Sequence, residues 1–111
     1  MVMLKSLFGN DTKEKVLLYL HTHQEGYAQE IRRNLKLPLR SVQLQLARLE
    51  EGGILVCQPR DRTIVYKLNT RCPFTKELVA ILERVLAALP KEDRVRFYTP
   101  RLRPRRLTKP L

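Results

Sequence analysis

The chain has 111 residues, of which 43% are apolar, so it can form one domain with a hydrophobic core. Its 22 Lys and Arg residues outnumber its 11 Asp and Glu residues, and the net charge of +11 points toward nucleic acid as a partner. No unbroken apolar run exceeds five residues, which excludes a membrane-spanning helix, since such a helix needs about 20. The first ten residues lack the apolar stretch of a secretory signal and the chain has only two cysteines, so we expect a cytoplasmic protein without a disulfide framework.

The positive charge is concentrated at the C-terminal end. Residues 91–111 hold 8 basic and 2 acidic side chains, whereas residues 1–90 hold 14 basic and 9 acidic side chains. Three prolines after Thr99 would interrupt a helix in that segment. We therefore predict a domain over residues 1–90, followed by a basic, proline-rich tail over 91–111 that ends in an extended arm from Thr99 onward.

The sequence from residue 11 to residue 35 predicts two helices. Asp11, with Glu14 three residues later, has the form of a capping box at the start of the first helix. Gly26 marks the end of that segment. The second helix is predicted over 28–35, where apolar residues recur with helical spacing.

A turn and a third helix follow. Pro38 breaks the second helix, because the residue before a proline avoids the α region, and it suits the first turn of a new helix over 38–51. In that helix Val42, Leu46 and Leu49 fall on one face. These three residues are predicted to face the core.

Strand periodicity replaces helical periodicity after this helix. Residues 54–69 are rich in β-branched side chains, with a turn between Pro59 and Arg62, and they predict a β-hairpin. Residues 75–89 then return to helical spacing. The predicted fold is mainly α with a small β-hairpin (α+β), in the order helix, helix, turn, helix, hairpin, helix.

Two short helices joined by a tight turn and followed by a hairpin make a winged helix-turn-helix. The matching segments are 28–31 and 35–37 for the first helix and turn, 41–46 and 48–55 for the recognition helix and its exit, and 63–68 for the second wing strand. Together they resemble the winged-helix regulators of the ArsR and MarR type over about residues 8–89. The resemblance implies a DNA-binding transcription factor, usually a dimer.

A helix that enters the major groove has to present polar side chains away from the core. Arginine can bind guanine and glutamine can bind adenine through two hydrogen bonds each. Leu44 can touch a thymine methyl group or can pack on a neighbouring helix instead. The predicted base contacts in helix 38–51 are Arg40, Ser41, Gln43, Leu44 and Gln45.

Basic side chains around this helix are predicted to bind phosphates or to enter the minor groove. The C-terminal arm could lie along DNA as homeodomain arms do, or it could be a tail that attracts DNA non-specifically. Val95, Phe97 and Tyr98 could extend the last helix or fold back on the domain. The predicted contacts are Lys36, Arg48, Arg60, Arg62, Lys67, Arg101, Arg103, Arg105 and Arg106, with Lys109 as a further basic residue of the arm.

The last predicted helix carries a broad apolar face. Leu78, Leu82, Val85 and Leu89 step by 4, 3 and 4 residues, as in a coiled coil, and Leu86 widens the face. We predict that this helix packs on its own domain with one side and forms a homodimer interface through these residues with the other. The alternative is a monomer whose core uses the whole face.

The remaining motifs favour neither an enzyme nor a metal site. The sequence lacks a P-loop and the G-x-G-x-x-G, G-x-S-x-G and H-E-x-x-H motifs, so we expect no catalysis and no cofactor. Cys57 and Cys72 do not form a C-x-C or C-x-x-C pair, so we predict no metal site and interpret Cys57 as a small buried apolar residue.

The predicted function is sequence-specific binding of double-stranded DNA in transcription regulation, as a repressor. Two alternatives remain. One is an RNA-binding or architectural nucleic-acid-binding protein, in which the basic tail dominates. The other is a protein-interaction module that docks through Leu39 and Leu44.

Overall fold

A computed structural model of the chain describes residues 2–99. The described helices are α1 (Lys5–Phe8), α2 (Asp11–His23), α3 (Ala28–Leu35), α4 (Leu39–Glu51), α5 (Thr75–Ala88) and α6 (Lys91–Tyr98), and the strands are β1 (Gly26–Tyr27), β2 (Leu55–Arg60) and β3 (Thr63–Leu68). The strands form one antiparallel sheet in the order β1-β3-β2. The predicted class, mainly α with a small hairpin, is confirmed.

Three short elements were not predicted: α1, β1 and α6. Strand β1 has only two residues, too few for an alternating pattern, and it pairs with β3 through Gly26 opposite Tyr66. A Cβ atom on Gly26 would lie 3.1 Å from the ring of Tyr19 and 3.3 Å from Ile31, so a larger residue would have to push these core side chains aside.

The start of α2 differs from the predicted capping box. Asn10, with extended backbone, is the N-cap, and its side chain accepts a hydrogen bond of 2.9 Å from the Lys13 N–H. The Glu14 carboxylate is fully buried and accepts hydrogen bonds from the Met3 N–H at 2.9 Å and the Leu4 N–H at 2.6 Å. Glu14 therefore ties the N-terminal segment to α2, and the prediction of a cap at Asp11 was wrong.

The core is built around α2. Five consecutive residues, Val16 to Leu20, are at most 2% exposed, so α2 is enclosed on all sides. Helices α3, α4, α5 and α6 and strand β3 all pack against it. No helix in the described part of the chain is long and apolar enough to cross a membrane.

The apolar seam of α5 packs inside its own domain. Leu82 is fully buried, Val85, Leu86 and Leu89 are buried, and the half-buried Leu78 packs against the same core. The predicted dimer interface through these five residues is therefore corrected, because their surface is already used within one chain. The large apolar side chains that α5 and its N-cap leave exposed are Phe74 and Ile81, at 62% and 38% exposure.

The domain extends beyond the predicted boundary at residue 90. Helix α6 begins after Pro90 and packs on α2, and Tyr98 is buried in the core. Burial, reinforced by the negative charge of Glu14, raises the pKa of the Tyr98 hydroxyl. The predicted tail of 91–111 is thus helical over its first eight residues. The predicted arm contacts Arg101, Arg103, Arg105, Arg106 and Lys109 lie outside the described residues.

Candidate nucleic-acid interface

Helix α3 is held on α2 by a buried polar contact. The fully buried Tyr19 hydroxyl donates a hydrogen bond to the Glu30 carboxylate and accepts one of 2.8 Å from the Asn34 amide. Burial and the Glu30 hydrogen bond raise the pKa of Tyr19, so the hydroxyl keeps its proton and remains a donor. The contact sets the position of α3 and of the turn that follows it.

The turn between α3 and α4 consists of residues 36–38. Lys36 adopts a left-handed backbone with φ of 57°, which ends α3 and lets the Leu37 N–H donate to the Arg32 carbonyl at 3.0 Å. Pro38 then takes an extended backbone as the N-cap of α4. Lys36, one of the predicted phosphate contacts, is exposed at this turn.

The inner face of α4 contains one predicted DNA contact. Val42, Leu46 and Leu49 are buried as predicted, but Gln45 lies among them and is only 2% exposed. Gln45 is three residues after Val42 and four before Leu49, so helical geometry turns it inward. The prediction that Gln45 reads a base was therefore wrong. Its Oε1 atom has no hydrogen-bond partner among the described residues.

The outer face of α4 carries the other predicted base contacts. Arg40, Gln43 and Leu44 are exposed, and Ser41 is half-buried. Leu44 is 47% exposed, so packing on a neighbouring helix does not account for it. The four residues occupy the first half of the helix, which is the half that contacts base edges in helix-turn-helix docking.

Charge is distributed unevenly along α4. The first turn has no acidic residue and carries Arg40, whereas the last turn carries the exposed Glu50 and Glu51 beside Arg48. The helix macrodipole favours the opposite arrangement, with acids at the start and bases at the end. This arrangement therefore costs helix stability and makes the N-terminal half the part of α4 that a polyanion can approach.

The β2–β3 hairpin, called the wing below, has two different faces. The register places Cys57 opposite Tyr66 and Pro59 opposite Ile64 on one face, and Arg60 opposite Thr63 and Val56 opposite Lys67 on the other, called the back face below. Cys57 is exposed there, so its interpretation as a buried residue was wrong.

The back face of the wing carries two predicted phosphate contacts, Arg60 and Lys67. Arg60 forms an ion pair with Glu25, with Nη1 2.6 Å from Oε2 and Nη2 3.4 Å from Oε1, and this carboxylate raises the pKa of Arg60. Lys67 lines a groove between α2, the wing and the start of α5. Arg62 is exposed in the two-residue tip.

Comparison with known proteins gives the fold. No family model and no curated protein matches the chain. The YusO protein from Bacillus subtilis matches with a TM-score of 0.53 and 24% identity over 76% of this chain and 65% of that chain. The chain thus spans just under two thirds of the length of YusO.

Two further structures are similar to the chain. A homodimeric winged helix-turn-helix DNA-binding domain from Mycobacterium bovis, a possible ArsR-family transcriptional regulator, has a TM-score of 0.57 and 16% identity over 77% of this chain and 76% of that chain. A variant of Lactococcus lactis ZitR in its apo form has a TM-score of 0.54 and 18% identity over 81% and 78% of the two chains. The chain has the winged helix-turn-helix fold. The resemblance that the sequence showed to such regulators is confirmed at the level of the fold.

The partner of Arg60, Glu25, could not be recognised from the sequence. It lies in the connection between α2 and β1, where its type and spacing match no binding motif. It comes to Arg60, which is 35 residues away in sequence, because β1 and β2 both pair with β3.

Proposed function

We propose that the chain is a sequence-specific, double-stranded-DNA-binding transcription repressor. The observation that carries the proposal is the exposed N-terminal half of α4, which presents Arg40, Gln43 and Leu44 beside a cationic turn and away from the acidic end of the helix. The similarity to the Mycobacterium bovis domain, which is described as DNA-binding, supports it.

Base readout is assigned to the first half of α4. Arg40 would bind the O6 and N7 atoms of guanine and Gln43 the N6 and N7 atoms of adenine, each pair contributing about 1–3 kcal/mol of discrimination. The Leu44 side chain would contact the methyl group of thymine. Ser41 lies at the border of this surface and is assigned a supporting contact.

Phosphate binding is assigned to cations around this helix. Lys36 at the turn, Arg48 on α4 and Arg62 at the wing tip are all exposed. The basic arm beyond residue 99 would add further contacts. If six to ten phosphates are neutralised, affinity falls about 10³–10⁵-fold between 50 and 200 mM salt, and deletion of residues 99–111 should make this dependence less steep.

We also propose that the chain forms a homodimer, through a different side of α5 from the one that the sequence predicted. Because the predicted seam of α5 is buried within one chain, the second copy would contact the side that carries Phe74 and Ile81. The Mycobacterium bovis domain is homodimeric, which supports this assembly. Two copies would read half-sites roughly 34–36 Å apart, about one DNA turn.

The proposal is tested by selecting bound fragments from a random duplex pool. We expect an inverted repeat among the enriched sequences. Arg40→Ala is then expected to weaken binding to the selected duplex by about 30-fold, which corresponds to about 2 kcal/mol, the middle of the range for a base contact. Lys76→Ala removes the same charge from the exposed surface of α5 and is expected to have a much smaller effect.

A second candidate function is a protein-interaction module, and the observation that favours it is the exposure of Leu44 and Ile64, at 47% and 49%. Unchanged DNA affinity in the double variant Arg40→Ala/Gln43→Ala would favour this alternative. Stronger competition by RNA than by duplex DNA at the same salt concentration would favour an RNA-binding protein.

A further inference from the structure

The ion pair between Arg60 and Glu25 connects the wing to the body of the domain. Glu25 follows Gln24, the left-handed residue that ends α2, so it sits at a sharp reversal of the chain. Both guanidinium nitrogens of Arg60 face its carboxylate, at 2.6 and 3.4 Å, and both side chains are about half exposed. Such a two-point contact restricts the direction of the arginine more than a single hydrogen bond would.

This contact lies near the tip of the wing, where the sheet has the fewest paired strands. Strand β1 pairs with β3 only at Val65 and Tyr66, so the sheet has three strands there and two strands toward the tip. A two-stranded ribbon twists more readily than a wider sheet. Arg60 is the last residue of β2, immediately before the tip residues Asp61 and Arg62.

The position of Arg60 also makes it a poor ligand for phosphate. It lies on the back face of the wing, opposite to the face that carries Tyr66 and Ile64. A phosphate oxygen would have to displace the Glu25 carboxylate from both guanidinium nitrogens. Arg62, in the tip, is exposed and lies next to the tethered strand end.

We propose that Glu25 is a positioning residue for DNA binding: through Arg60 it fixes the direction of the wing tip, so that Arg62 reaches phosphate and Arg60 does not. This inference rests on the proposed function. Arg60 and Arg62 thus have opposite roles on either side of Asp61. An acidic residue, whose own charge would repel DNA, contributes to DNA affinity.

The experiment measures the affinity of the full chain for the selected duplex across a series of salt concentrations. Glu25→Gln is expected to lower affinity about two- to fivefold, the effect of losing one exposed ion pair, although the variant is more positive by one charge. Simple attraction between charges predicts the reverse. Glu92→Gln makes the same charge change on the exposed surface of α6 and is expected to leave affinity equal or slightly higher.

The salt dependence of DNA affinity distinguishes the proposed roles of Arg60 and Arg62. Arg62→Ala is expected to reduce the slope of log affinity against log salt concentration by about 0.9, the value for one phosphate contact. Arg60→Ala is expected to lower affinity as Glu25→Gln does, with a slope close to that of the wild type. The reversed pair Glu25→Arg/Arg60→Glu is expected to restore affinity relative to Arg60→Glu alone, because it rebuilds the tether.

Several results would overturn the inference while leaving DNA binding intact. These are equal or tighter binding by Glu25→Gln, a loss of slope in Arg60→Ala as large as in Arg62→Ala, or a reversed pair as weak as Arg60→Glu alone. A wild-type chain that binds no duplex would overturn the proposed function itself, and the tether proposal with it.

Discussion

Replacement of the buried Gln45 by methionine is expected to stabilise the protein. The side chain is 2% exposed and its Oε1 atom has no partner in the described part of the chain. An unpaired buried acceptor costs about 1–3 kcal/mol, since it has lost its hydrogen bonds to water. Methionine is also unbranched and of similar size, and such swaps cost less than about 1.5 kcal/mol. The net expectation for Gln45→Met is a gain of about 1 kcal/mol in the free energy of unfolding.

Thermal and urea unfolding measure this gain. In a domain of this size 1 kcal/mol raises Tm by roughly 4–8 °C, and the urea midpoint should rise with an unchanged slope. Gln43→Ala is the matched control, because Gln43 is exposed on the other face of α4. That variant should change stability by less than about 0.5 kcal/mol and should weaken DNA binding, which Gln45→Met leaves unchanged.

Two results would refute this reasoning. A clear loss of stability in Gln45→Met would mean that the carboxamide makes a hydrogen bond that holds α4 in place. A stability gain accompanied by loss of DNA affinity, as in Gln43→Ala, would mean that Gln45 turns outward when DNA binds.

Three other perturbations have defined outcomes. Glu14→Ala should cost about 2–3 kcal/mol in chemical denaturation, because two backbone N–H groups lose a charged acceptor; a cost below about 0.5 kcal/mol would argue against that anchor. Leu82→Ala should cost about 2–5 kcal/mol, whereas Ile81→Glu should yield monomers in light scattering without that cost, and an intact dimer would exclude this side of α5. Burial lowers the pKa of His23, so the unfolded chain takes up this proton first as pH falls below about 6.5. The contribution of His23 is therefore complete above that pH and declines below it, and Tm should fall less on acidification in His23→Gln than in the wild type.

Helix α4 illustrates what the sequence could and could not predict. The spacing of Val42, Leu46 and Leu49 predicts both the helix and its buried face, since helical periodicity is a local property. The same periodicity places Gln45 on that face, but its polar side chain suggested an outward position. The error arose because residue type was given more weight than residue position.

Helix α5 shows that a sequence can predict a buried face without predicting what covers it. Its wide apolar face correctly predicts burial, yet a single sequence does not say whether the covering surface belongs to the same chain or to a second one. Packing on α2 buries Leu82, Val85 and Leu86 and leaves Ile81 outside. The unpredicted helix α6 completes this core by burying Tyr98, which a prediction based on proline and charge had assigned to the tail.

The order of helix, helix, turn, helix and hairpin could be predicted from the amino-acid sequence, because periodicity, proline and glycine act over a few residues. Tertiary structure alone decided which side chains meet across the fold. Glu25 and Arg60 lie 35 residues apart and come together because β1 and β2 flank the same strand, β3. The sequence neighbours of each residue are ordinary and give no sign of the contact. The ion pair depends on distance in space, which no local sequence pattern encodes.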